Sequence, residues 1–366
     1  MKKIKSMNYI KNIILFFGSI LLSFFLVYLI VLFWVSINEK YISDNNFTNK
    51  EELNFHRNYS NKVHHLRGKH FIKENIKKEE YFFTEVSKYS KNKINFLIQG
   101  DSWAEYLSTK NLSKKKLNEI AKINKIGLIN AGIASFSPSP MTVQFQILKD
   151  DFNISPSVVI AIIDQTDIGD ELCRYRSKIK FDKYKKKMFI EREKNTGAIF
   201  DYSKYYNFSE IIFKKSNFEK IYITNYYFKK FYHENVYKFK NRNIKSSKCT
   251  FKDIQKYLFK LDDDDENYFI SVLNAYISKV LGSKNNIKLY IISHPHRKHL
   301  NNKYNVNISD IIDKLELPKN AYHINYTKII DKNTNLTIFE KDDPASHLSD
   351  NSQSLFIENI FNSILN

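Results

Sequence analysis

Glycine (8), proline (6) and cysteine (2) are scarce among the 366 residues. Two cysteines, Cys173 and Cys249, exclude a scaffold stapled by several disulfides. They either pair in an oxidising compartment or stay as two buried thiols. Acids are also in short supply, which leaves a net charge of +19. Lys, Asn, Ile, Tyr and Phe are abundant instead. That skew resembles a drift towards AT-rich codons, so part of the basicity is compositional. The remainder favours anionic lipid head groups or acidic glycans.

Acid is missing altogether from residues 1–12, which carry Lys2, Lys3, Lys5 and Lys11. Charge of either sign is missing from residues 13–37. Such a run is long enough to cross a bilayer as a helix. The positive-inside rule then keeps residues 1–12 in the cytoplasm and sends the rest across. No small-x-small cleavage site follows the run, and its apolar core is longer than that of a cleaved signal peptide. Residues 13–37 are therefore expected to be an uncleaved transmembrane signal anchor in the cell (inner) membrane. The main domain is expected to be extracytoplasmic or periplasmic, which argues against a nucleic-acid partner.

Residues 38–92 read as a polar stalk rich in Lys, Asn and Glu, in which Tyr81, Phe82 and Phe83 could lie on a helix packed on the main domain. His64 and His65 are adjacent, so they do not share a helix face. No cysteine or carboxylate stands at ligand spacing from them. Asp262 to Asp265 lack the spaced ligands and glycine of a calcium loop and read as a helix N-terminus. No metal and no cofactor is implied.

From residue 93 the pattern becomes regular. Apolar runs of strand length recur at Ile94–Ile98, Ile126–Ile129, Val158–Ile163, Ile287–Ile292 and Ala321–Ile324, with room for helices between them. This alternation predicts a five-stranded parallel sheet covered on both faces. Such sheets bind ligands beyond the carboxyl ends of their strands. Each run is followed by polar residues: Gly100-Asp101-Ser102, Asn130-Ala131-Gly132, Asp164-Gln165-Thr166-Asp167, His294-Pro295-His296, and finally Asp342-Asp343 with His347. Ser349 reads as the cap of a last amphipathic helix, with Leu355, Ile357, Ile360, Phe361 and Ile364 facing inward. Residues 177–268 interrupt the alternation and read as a helical cap rich in Lys, Tyr and Phe.

The first run stops at a glycine and restarts as a helix from Ala104 to about Lys110. That puts Ser102 at a strand end and at the positive end of a helix, where backbone N–H groups can hold a developing oxyanion. Serine chemistry also needs a base and a carboxylate to orient it. Of the ten histidines, His347 is the best placed, with Asp343 four residues upstream and Asp342 as its fallback. Gly132 can offer a second oxyanion N–H, and Gln165 or Thr166 a third donor. His294 and His296 lie on the same sheet edge and could touch substrate.

These residues resemble the SGNH/GDSL hydrolase superfamily. The match runs through Gly100-Asp101-Ser102, Gly132, the Asp164–Asp167 turn, and Asp343 with His347. It covers residues 93–366 outside the interruption. It implies a flavodoxin-like three-layer α/β/α sandwich with esterase, lipase, deacetylase or O-acyltransferase activity. Two departures stand out: Thr166 where the family has Asn, and four residues rather than three from Asp343 to His347. The expected function is a membrane-anchored serine esterase or O-acyltransferase acting through an acyl-enzyme on an O-acylated cell-envelope glycan. The alternative is an inactive envelope protein of the same fold that binds glycan or scaffolds a polysaccharide assembly.

Overall fold

The computed structural model describes residues 2–37, 78–90, 94–183, 188–190, 249, 251–283, 286–297, 306–329, 338–341, 343 and 345–365, with the single residues 55, 58, 59, 62 and 63. The chain divides into two units. One comprises residues 1–57 and 194–247, the other residues 58–193 and 248–366. In the first, helix α1 runs unbroken over Lys2–Ile37. Its described side chains, residues 14–30 and 33, are mostly exposed and apolar, among them Leu15, Phe16, Leu21 and Phe33. Among the described residues, no helix is long and apolar enough to cross a membrane.

The second unit is a mixed α/β domain built on a largely parallel sheet flanked by helices. All five expected runs form strands: β2 (Asn95–Gln99), β3 (Gly127–Asn130), β4 (Val158–Asp164), β7 (Lys288–His294) and β8 (Ala321–Asn325). Each lies within two residues of the apolar run that predicts it. Strand β4, Val-Val-Ile-Ala-Ile-Ile-Asp, is buried at all seven positions. Continuous burial of this kind is what helices on both faces require.

The sheet has six strands rather than the expected five. The sixth, β1 (Thr84–Ser87), pairs antiparallel with β3 at one edge. Its sequence, Thr-Glu-Val-Ser, is polar and only half-buried, so no apolar run announces it. With it, residues 78–87 leave the expected stalk and join the domain. Phe82 is buried, with its ring 4.8 Å from Tyr59 and 5.3 Å from Phe152.

The spatial order is β1-β3-β2-β4-β7-β8. Counting the five parallel strands alone, the order is 2-1-3-4-5. The chain winds outward from β2 to β3, then crosses to β4 on the other side. The carboxyl ends of β2 and β4 therefore flank the point where the winding reverses, and a crevice forms at such a point.

One face of the sheet carries α2 (Ser102–Thr109), α3 (Asn111–Ile123) and α10 (Asp350–Leu365) over a core that includes Phe96, Ile98, Leu128, Ile160, Ile162, Phe356 and Phe361. The other face carries α4 (Pro138–Phe152) and α7 (Asp263–Leu281), which pack on each other. On α10 the buried positions are Gln353, Phe356, Ile357, Ile360 and Phe361. That spacing is one helical face, and Leu355, expected inside, points to solvent at 56% exposure.

The second face contains a polar anchor. Gln99 Nε2 donates to the Gln144 side chain (2.7 Å) and to Met141 O (3.1 Å), and Tyr276 Oη donates to Gln99 Oε1 (3.1 Å). Helix α4 begins with Pro138 after Ser137, whose hydroxyl makes no cap. The buried carboxylate of Glu171 serves instead, accepting from Ser137 Oγ (2.6 Å), Ser139 N (3.0 Å) and Ser139 Oγ (2.6 Å).

The expected helical cap opens differently. Within it, β5 (Ile179–Phe181) and β6 (Met188–Ile190) pair antiparallel. Residues 191–248, with the aromatic stretch Tyr226 to Tyr232, lie outside the described residues. Asp262 caps α7 by accepting from Asp265 N (2.8 Å), and the acids after it sit on the positive end of that helix. Cys173 and Cys249 form a disulfide.

The turn out of β2 depends on Gly100. Its φ is +151°, and a Cβ there would meet the Ile162 carbonyl oxygen at 2.6 Å. Gly100→Ala is expected to lower the unfolding free energy by about 1–3 kcal/mol. Chemical denaturation should show a lower midpoint at unchanged slope.

Candidate active site

Beyond Gly100 the chain starts α2. Asp101 is its N-cap, with Oδ1 accepting from Trp103 N at 2.8 Å. Ser102 is the first helical residue, and its N–H makes no hydrogen bond among the described residues. Three contacts from the β3 loop fix this helix. Asn130 Nδ2 donates to Ala104 O (2.7 Å) and Ser108 Oγ (2.9 Å). Ala134 N donates to the buried Glu105 side chain (3.0 Å). Gly132 lies so close that a Cβ on it would stand 2.2 Å from Glu105 N.

The partner loop arrives from the far end of the chain. Residues 338–340 and 347–349 pair as the two arms of a hairpin, with Glu340 N donating to His347 O (2.8 Å) and Ser349 N to Ile338 O (2.9 Å). Inside it, Asp343 Oδ1 accepts from Ala345 N (3.1 Å), and Oδ2 accepts from His347 N (2.6 Å) and from Nδ1 of the same ring (2.6 Å). Ser346 takes the left-handed conformation (φ +61°). The longer spacing still brings carboxylate and imidazole together.

Because a carboxylate only accepts, Nδ1 carries the proton and Nε2 is left as an acceptor. It lies 2.7 Å from Ser102 Oγ. Burial alone would raise the Asp343 carboxyl. The bonds and charge of His347, with the N–H groups of His347 and Ala345, outweigh that and hold it at about 2. An arrangement of hydroxyl, imidazole and ionised carboxylate can draw the proton off the serine as its oxygen attacks an electrophile. Two further ties hold the neighbourhood together, one from the loop to the end of the serine helix and one from the start of α10 to α3. Lys110 Nζ meets Glu340 Oε1 at 2.5 Å. Asp350 caps α3 from outside by accepting from Leu112 N and Ser113 N, both at 3.1 Å. Tyr106 packs beside the His347 ring at 4.5 Å.

No protein-family model matches the chain, and neither does any curated protein compared with it. The residues themselves must carry the interpretation. Ser102, His347 and Asp343 come together. Asp342 lies outside the described residues. Gly132 is adjacent to the serine helix, but its N–H donates to Asn130 Oδ1 (2.9 Å). Its missing side chain serves close packing against α2, not an open oxyanion donor. Thr166 is likewise committed: its hydroxyl and its N–H both donate to Asp164 Oδ1, the hydroxyl at 2.7 Å. Gln165 Oε1 accepts from Ile308 N (2.8 Å), while its buried Nε2 has no hydrogen-bond partner among the described residues.

His294 is not a surface contact. It is fully buried, its ring 3.5 Å from that of Trp103 and close to Tyr326 and Phe356. Its Nδ1 donates to Pro295 O (2.8 Å), and burial pushes its pKa down to about 3, so the ring stays neutral. His296 is buried as well. Sequence reasoning assigned no role to Asn130 or Glu105. Asn130 ends an apolar strand on the carboxyl edge, which is a readable signal. Glu105 on a helix carries none.

Asp343 titrates below its ordinary 3.8. A carboxyl depressed by folding contributes stability above its unfolded pKa and loses it as pH falls through the folded one. Asp343→Asn is therefore expected to destabilise the protein at pH 6, with the gap from wild type closing as pH falls from about 4 to about 2. Denaturant midpoints of both proteins across that range check this.

Proposed function

We propose that the chain is a serine esterase or O-acyltransferase of the SGNH/GDSL type, held at a membrane by α1 and acting outside the cytoplasm on an O-acylated envelope glycan. The observation that carries the chemistry is the chain of short hydrogen bonds from Asp343 through His347 to Ser102 Oγ, at the positive end of α2. The 2-1-3-4-5 order of the parallel strands supports the flavodoxin-like fold that this reading includes. The location is supported by the apolar, exposed face of α1 and by a disulfide, a bond typical of oxidising compartments.

Ser102 Oγ attacks the acyl carbonyl carbon while its proton passes to His347 Nε2. The carbonyl π electrons move to oxygen, and the free Ser102 N–H meets that oxyanion. Collapse of the intermediate breaks the ester C–O bond, and the departing sugar oxygen takes the proton back from His347. The acyl group is then on Ser102. Attack by water releases it as an acid, and attack by another sugar hydroxyl transfers it. The serine chemistry is common to both outcomes, so only the acceptor distinguishes hydrolysis from transfer.

A second reading has a specific observation behind it. Gly132 N–H and the Thr166 hydroxyl are committed to Asn130 and Asp164, so two expected oxyanion donors are spent. One lost donor costs on the order of 10²–10³ in rate. A site that binds an acylated glycan and turns it over slowly or not at all fits that commitment.

Labelling with a fluorophosphonate probe separates the two. The wild-type chain is expected to label at Ser102, and Ser102→Ala and His347→Ala to lose labelling while keeping their thermal transitions. Acetate release from acetylated envelope polymers should follow the same order. A folded wild-type protein that never labels favours the binding role.

A further inference from the structure

Ser102 Oγ has two polar neighbours and one proton. His347 Nε2 stands at 2.7 Å and Asp101 Oδ2 at 3.1 Å. Asp101 is buried, and a carboxyl oxygen of it lies within 4.8 Å of one on Asp164, which is also buried and whose Oδ2 has no hydrogen-bond partner among the described residues. Two ionised carboxylates buried this close would repel one another, and a proton on one of them removes that cost. We propose that Asp101 and Asp164 hold one proton between them, and that the neutral Asp101 carboxyl beside Ser102 leaves the hydroxyl proton to His347. This rests on the serine chemistry proposed above.

The surroundings support the assignment. Oxygens of Asp101, Asp164 and Asp167 lie within 4.8 Å of one another. Asp170 follows one turn later and pairs with Arg174 at 2.5 Å. Neither Asp101 nor Asp164 has a Lys or Arg ion pair among the described residues. The other titratable groups that interact with the pair by charge are Asp167, Asp170 and His347. Burial first, then the charge of Asp164, pushes Asp101 well up, and burial raises Asp164 and Asp167 too.

Within the pair the proton belongs on Asp101. Asp164 Oδ1 already accepts from Thr166 N, Thr166 Oγ1 and Asp167 N, which favours its ionised form. Asp101 accepts one backbone bond, from Trp103 N. An ionised Asp101 would compete with His347 for the hydroxyl proton, and its charge would oppose the negative oxygen forming on Ser102. The two acids nearest the serine chemistry thus take opposite states. Asp343 is charged and aligns the base, and Asp101 is neutral and keeps the nucleophile's proton directed.

Infrared difference spectra of the full chain test the proton directly. At neutral pH the wild type minus Asp101→Asn spectrum should contain a protonated-carboxyl stretch. Its absence overturns the proposal, whether or not Ser102 reacts. Asn places an amide N–H where the acid proton was, so fluorophosphonate labelling should be slowed less by Asp101→Asn than by Asp101→Ala, by about tenfold. The wild-type rate should fall as alkali removes the proton, and that fall should vanish in Asp101→Asn. Equal slowing by Asn and Ala, or an alkaline fall that survives in Asp101→Asn, overturns the proposal. So does labelling abolished by EDTA and restored by Mg²⁺, which would make the carboxylates a cation site. If Asp101→Asn fails to fold, Asp164→Asn replaces it in the infrared comparison, where loss of the same band is expected and its persistence is contrary. A wild-type chain that shows the band but never labels would sink the serine chemistry and leave the shared proton standing.

Discussion

The hydrogen bond between His347 Nε2 and Ser102 Oγ joins residues 245 positions apart and depends on most of the domain. It forms only if the carboxyl end of β2 and the C-terminal hairpin reach the same place. The strand order achieves this by setting the carboxyl ends of β2 and β4 side by side where the winding reverses, and α10 anchors the hairpin by packing on α3. Local ties then remove the remaining freedom. Asn130 and Glu105 hold the serine helix from the β3 side, Lys110 at its end holds the hairpin through Glu340, and Asp350 ties α10 to α3. Several hydrogen bonds of about 1 kcal/mol each are thereby spent on placing one hydroxyl opposite one imidazole.

Burial acts on the carboxylates around that contact in two ways. At Asp343 the cost of desolvation is outweighed by three donors from two residues, and the group stays charged. At Asp101, Asp164, Asp167 and Asp170 it is not, because all four are deeply buried and the carboxylates crowd one another. The same chemical group serves as a fixed charge in one place and as a proton holder a few ångströms away. Pairs of acids pushed apart by their environments are how a site assigns distinct roles to identical side chains.

Much of this was legible in the residues. Five apolar runs marked five strands because burial between two helical layers leaves no polar alternation. The polar residues that follow each run marked the functional edge. The sixth strand was not legible, since a half-exposed edge strand such as Thr84–Ser87 needs no apolar pattern. Nor was the inward face of α10 read correctly at Leu355, where a one-residue shift in phase moves a side chain through about 100°.

Local pattern alone therefore determined the α/β class, the carboxyl edge as the place to look, and the candidates Ser102, Asp343 and His347. Those features are written in burial and turn chemistry, which act over a few residues. Tertiary structure decided which hydrogen-bonding groups were still available. Gly132 N–H was taken by Asn130, the Thr166 hydroxyl by Asp164, and His294 by the aromatic core around Trp103. It also decided that Asp343 would reach His347 across four residues, and that Asp101 would lie close to Asp164. A donor can be spent only once, and which acceptor takes it depends on distances set by strands and helices far apart in the chain.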